Sequence, residues 1–188
     1  SSLVALDQQI GKERWKVDLD APVGGVMARS SSIAVVPLRP NTYVGIDLEK
    51  GERLWRVKRP TPEGITVRGQ AAPTIDRNTK RAYLGFSDGA LVGIDLLNGA
   101  TLWTALLGNA ADFFADVDTA PVIVDGGKAV IAAGYNTGLF KVDTDTGAIL
   151  WKQPHTRISG LVQAGAGLLV GVSGDRQVLG IYSENGKI

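Results

Sequence analysis

Short runs of apolar and β-branched residues, broken by Gly, Asp, Asn and Ser, follow one another along the whole chain. No segment keeps apolar residues at helical spacing over several turns, so the pattern predicts strands throughout. One frame recurs. Ile94-Asp95, Gly99 and Trp103 are matched by Leu6-Asp7, Gly11 and Trp15, by Ile46-Asp47, Gly51 and Trp55, and by Val142-Asp143, Gly147 and Trp151. In each copy the Gly follows the Asp by four positions and the Trp follows it by eight; successive Trp residues are 40, 48 and 48 apart. All 4 Trp residues of the chain fall in this frame, and a further copy, Ile181-Tyr182 with Gly186, carries Tyr in place of the Asp.

The frame reads as strand, tight turn, strand. An Asp side chain starts a turn by accepting from the backbone two residues on, and Gly supplies the positive φ without steric cost. The Trp then lies on the returning strand, where a large flat ring fills the gap to a neighbouring sheet. A repeat of roughly 40–50 residues made of short strands is the range of β-propeller blades. The expected fold is all-β: a β-propeller of four-stranded antiparallel blades, with about four blades at approximately 15–47, 55–95, 103–143 and 151–182 in a single region 1–188. Residues 2–7 read as a lone outermost strand ahead of them. Because the frame is cut at both ends, the chain is expected to be part of a larger propeller, with open blade edges that could support self-association.

Two insertions break the rhythm and account for the wider spacings. Arg59–Gln70 and Gly108–Asp118 each lie between a Trp strand and the next strand, so they should emerge side by side on one face. Loops on a rigid scaffold are where function concentrates. The first carries Ile65 and Val67 on alternate positions, then Arg68; the second carries Phe113-Phe114, then Asp116 and Asp118. An apolar patch rimmed by charge suits a protein interface. Local packing, with Arg68 paired to Asp116 or Asp118, accounts for the same residues.

Composition narrows the chemistry. With 20 basic and 19 acidic residues the net charge is +1, so no bulk field draws nucleic acid. There is no Cys, which rules out disulfides, thiolate metal sites and Cys nucleophiles. His155 is the only His and follows Pro154 in a loop setting, with no nucleophile-elbow motif to support catalysis. Asp143-Thr144-Asp145-Thr146-Gly147 resembles the opening of a calcium loop, yet it coincides with the repeated turn and lacks the distal Glu. No metal, no cofactor, no catalytic residue and no small-molecule substrate are expected.

The Trp repeat resembles that of the quinoprotein-type, PQQ-like propellers, which are typically eight-bladed. Within that group, Ile65-Thr66-Val67-Arg68-Gly69-Gln70-Ala71-Ala72-Pro73 and Ala115-Asp116-Val117-Asp118-Thr119-Ala120-Pro121 resemble the two signature segments of the BamB family, lipoproteins of the β-barrel assembly machinery. That resemblance implies a non-catalytic periplasmic scaffold anchored to the outer membrane. It also implies docking on the periplasmic domains of BamA through Ile65, Val67, Arg68, Asp116 and Asp118. Ile65 and Val67 stand where the family has Leu. The alternatives are a generic PQQ-like interaction or sensor module and, further off, a PQQ-dependent dehydrogenase. The dehydrogenases resemble the chain in the Trp repeats only, and their adjacent-Cys disulfide cannot form here.

Overall fold

The computed structural model describes residues 1–61, 70–108, 116–134, 136–154 and 157–188. Strands β1 (Ser2–Leu6) and β2 (Glu13–Asp18) pair as a two-stranded sheet. Three four-stranded sheets follow. The first holds β3 (Ala28–Arg29), β4 (Ile33–Leu38), β5 (Thr42–Asp47) and β6 (Arg53–Lys58). The second holds β7 (Thr74–Asp76), β8 (Arg81–Gly85), β9 (Ala90–Asp95) and β10 (Thr101–Leu106). The third holds β11 (Val122–Val124), β12 (Ala129–Gly134), β13 (Gly138–Asp143) and β14 (Ile149–Gln153). A three-stranded sheet of β15 (Ile158–Gly165), β16 (Leu168–Ser173) and β17 (Val178–Tyr182) ends the chain. All are antiparallel meanders, and the helical content of the described residues is a 3-10 turn at Asp125–Gly127.

The all-β expectation holds, but the sheets are phased one strand later than the expected blades 15–47, 55–95, 103–143 and 151–182. Each of those ranges opens on a Trp strand, and that strand belongs to the sheet before it. The physical reason is the Asp turn: Asp47 N–H donates to the Glu52 carbonyl at 2.8 Å, closing a hairpin that obliges β5 and β6 to pair. Residues 2–7 are likewise not a lone strand, since β1 is paired with β2. The first strands of the second and third sheets are short, at Thr74–Asp76 and Val122–Val124.

Burial follows radial order. The middle strands β4, β5, β8, β9, β12 and β13 are almost wholly buried, whereas β6 and β10 alternate between exposed and buried positions. The short first strands touch their counterparts in the next sheet, β3 on β7, β7 on β11 and β11 on β15, so they gather around a common axis. The sheets therefore stand as propeller blades with their fourth strands outermost. Cores lie between blades, not within them. Leu84 and Val92 face back to Val35 and Tyr43, while their neighbours Tyr83 and Leu91 face forward to Val130 and Phe140. Strand alternation sends successive side chains to opposite faces, which explains why these strands are continuously apolar.

The Trp frame fastens one blade to the next. The indole N–H groups of Trp15, Trp55, Trp103 and Trp151 donate to the carbonyls of Leu48, Leu96, Thr144 and Ser183 at 3.0, 2.8, 2.8 and 3.2 Å. Each acceptor follows directly on the Asp (or Tyr182) of the next copy. The turn glycines Gly51, Gly99, Gly147 and Gly186 lie flat against those same rings, at φ of +73°, +74°, +75° and +70°. A side chain there would meet both the ring and the strain of a left-handed backbone. On the other side of the ring, Gly45 faces Trp55 and Gly93 faces Trp103 across the strand pair, and a Cβ at either would overlap the indole. In the third blade the equivalent partner of Trp151 is Lys141. Trp55 and Trp103 are each 7% exposed, while Trp151 is half-buried.

Candidate partner-binding face

The two insertions leave from the end of the strands opposite the Asp turns, and both are tied to one hairpin, Ser87–Gly89 between β8 and β9. The first insertion starts beside it. The Arg59 guanidinium donates to the Asp88 carboxylate at 2.7 Å and lies over the Phe86 ring at 5.8 Å from its centroid. Asn41, at the β4–β5 turn, spans the gap: its amide N–H donates to the Pro60 carbonyl at 2.6 Å and its Oδ1 accepts from Ser87 N–H at 2.9 Å. A charged pair with one partner largely shielded from water is stronger than an exposed one.

The second insertion is held by the same hairpin at both ends. Leu107 N–H donates to the Gly89 carbonyl at 2.8 Å, and Val117 N–H donates to the Phe86 carbonyl at 3.1 Å. Val117 is buried against Gly85, where an added Cβ would meet it at 2.8 Å. Beyond it, Thr119 locks the exit to the third blade, its hydroxyl accepting from Ala133 N–H at 2.9 Å. The first insertion ends on Gln70, whose side-chain N–H donates to the Thr42 carbonyl at 3.0 Å. Next to it, the Tyr43 hydroxyl lies 2.7 Å from the carbonyls of both Ala71 and Gly85. Burial pushes the Tyr43 hydroxyl well above its ordinary pKa, so it remains a donor throughout the physiological range.

Thr61 and Gln70 from the first insertion, Ser87 from the hairpin, and Asp116 and Asp118 from the second all line one depression. Of the five residues singled out as partner-binding, Asp116 and Asp118 are described. Asp116 is 7% exposed and Asp118 half-buried, and both are engaged in interactions inside the chain. Ile65, Val67 and Arg68 lie outside the described residues, as do Phe113, Phe114 and His155. The structure thus brings the ends of the two insertions together. Asn41, Arg59, Phe86 and Asp88, which do the anchoring, were not singled out in the sequence. The available signal was that Asp88 falls in the hairpin midway between the two insertions.

The calcium-like run at Asp143 is a turn. The Asp143 carboxylate accepts from the N–H groups of Asp145 and Thr146 and from the Thr146 hydroxyl, at 3.0, 2.8 and 2.8 Å. Those donors hold its carboxyl below the ordinary carboxylate range. Among the described residues there is no group of three or more metal-ligating side chains.

The family model described as outer membrane protein assembly factor BamB matches residues 1–188. The chain belongs to the BamB family. It is 24% identical over 189 residues to the outer membrane protein assembly factor BamB of Shewanella oneidensis, covering 98% of this chain and 46% of that protein. With the BamB of Alteromonas naphthalenivorans it shares 26% identity over 158 residues, covering 81% of this chain and 37% of that protein. The crystal structure of BamB from Moraxella catarrhalis superposes with a TM-score of 0.83 and 27% identity, over 99% of this chain and 56% of that one. The chain therefore spans about half the length of the BamB relatives it matches, and the propeller architecture is shared with them.

Proposed function

We propose that this chain is a non-catalytic scaffold of outer-membrane protein assembly, acting in the periplasm and tethered to the outer membrane in its full-length context. Its partner is the periplasmic part of BamA, met by the two insertions. Ile65 and Val67 bury against the partner and Arg68 supplies a directional charge. Asp118 rims the contact, and the buried Asp116 supports the loop from beneath. Membership of the BamB family supports the assembly role. The observation that carries the site is the convergence of both insertions on the Ser87–Gly89 hairpin, since a rigid base lowers the cost of ordering loops on binding.

The test is titration of the chain against the periplasmic domains of a cognate BamA, beside an Arg68→Glu variant. The expected result is saturable binding by the parent chain, weakened at least tenfold by the reversed charge, the loss typical of an interface hot spot of about 2 kcal/mol. Equal binding by both would remove the insertions from the interface. Absence of binding, in the presence of a full-length BamB that does bind, would reject the partner proposal for this half.

A further inference from the structure

At the opposite end of the strands from the insertions, a depression of about 330 Å³ lies between the first and second four-stranded blades. Arg29 at the end of β3 and Arg77 and Lys80 in the turn after β7 contribute three cations to it, and the Ser30–Ser32 turn forms one wall. Among the described residues none of the three is ion-paired. The aspartates that open the neighbouring turns are engaged by their own backbone. Asp76 accepts from Asn78 and Thr79 N–H, Asp47 from Glu49 and Lys50 N–H, and Asp95 from Leu97 and Asn98 N–H. Arg77 is turned toward the first blade by a long hydrogen bond, 3.5 Å, to the Arg29 carbonyl.

Lys80 has an uncommon backbone conformation. Its φ is +55°, in the left-handed region, and its carbonyl accepts from Leu96 N–H at 2.9 Å. The equivalent carbonyls in the other blades belong to Ser32, Lys128 and Gly167, of which Gly167, at φ +74°, shares the left-handed conformation. Glycine takes that conformation without cost, whereas lysine does not. Lys80 therefore places a long cation on the lip of the depression, beside Arg29 and Arg77, at a backbone position that glycine would take without strain.

We infer that this depression binds a phosphoryl group, carried either by a lipid headgroup or by a soluble phosphate. Two planar guanidinium forks and an ammonium offer the donor geometry that phosphate oxygens accept. The exposed Ser31 and Ser32 add hydroxyls, and Leu97, 51% exposed at the rim, adjoins the carbon skeleton of an ester. With a net charge of only +1, the chain as a whole would not gather anions, so binding must be local. The site lies away from the insertions and is independent of the BamA proposal.

The experiment titrates the chain with inorganic pyrophosphate at fixed ionic strength. In parallel it follows flotation with phosphatidylcholine vesicles made with and without phosphatidylglycerol. Lys80→Gly is the informative variant, because it removes the cation while relieving the left-handed backbone. Saturable pyrophosphate binding is expected, weakened about tenfold in Lys80→Gly, as for loss of one charged hydrogen bond, with the thermal midpoint unchanged or raised. Lys16→Gln, an exposed cation on β2, should leave it intact. Flotation dependent on phosphatidylglycerol and reversed by pyrophosphate supports a lipid source; pyrophosphate binding without flotation supports a soluble one. The inference is overturned if neither probe binds saturably, if Lys80→Gly binds as the parent does, or if Lys16→Gln loses as much.

Discussion

At one end of the strands the same contacts return in every blade; at the other, the contacts around Ser87–Gly89 are particular to their place. Asp7, Asp47, Asp95 and Asp143 each cap their own turn, and the carbonyls after Asp47, Asp95 and Asp143 each take an indole from the blade before. By contrast, Arg59, Asn41, Leu107 and Val117 come from different blades and meet on a single hairpin. The first set holds blade to blade. The second positions two insertions relative to each other, so damage to it should appear in partner binding before it appears in stability.

The largest expected effect is on blade docking. Trp103→Ala removes a buried ring and a cross-blade hydrogen bond and should cost about 4 kcal/mol, read by chemical denaturation. Trp151→Ala should cost about half as much, because that ring is half-buried and is backed by Lys141 where Trp55 and Trp103 have glycine. Equal losses would show that the glycine backing contributes nothing. Lys141 itself is buried, with its ammonium 2.6 Å from Asp125, so the third blade uses a charged pair where its neighbours use close packing.

A smaller effect concerns pH. Backbone N–H groups hold the carboxyls of Asp7, Asp47 and Asp143 below their ordinary 3.8. A depressed folded-state pKa means the contribution is present above 3.8 and fades as pH falls below it, through the folded-state pKa. Asp47→Asn keeps the acceptor oxygen and loses the titration. Acid unfolding of this variant, followed beside the parent, should start from slightly lower stability at neutral pH and fall less steeply below pH 3.8. An identical acid limb would show that the turn carboxylates do not drive it.

The periodic face was legible in the sequence because its physics needs fixed residue types at fixed spacing: an acceptor to start the turn, a glycine to lie under a ring, and the ring itself. What that frame could not show was where one sheet ends. The Asp–Gly turn joins the third strand to the fourth, and one sheet gives way to the next between Lys58 and Thr74 and between Leu106 and Val122, ahead of first strands of only 3 residues. The insertions were legible from the 48-residue spacings. Their anchor was not, since Ser-Asp-Gly reads as an ordinary hairpin turn, and its partners lie 46 residues away at Asn41 and 29 away at Arg59.

The claim that the two faces have separate tasks is tested most directly by measuring affinity for the BamA periplasmic domains and unfolding free energy on Asp88→Ala and Trp151→Ala together. Asp88→Ala frees Arg59 and loosens the start of the first insertion, so affinity should fall about tenfold while stability drops by only about 1 kcal/mol. Trp151→Ala should lose more stability and keep its affinity wherever it remains folded. Affinity that simply tracks stability across both variants would contradict the separation, and the hairpin would then be one more piece of the scaffold.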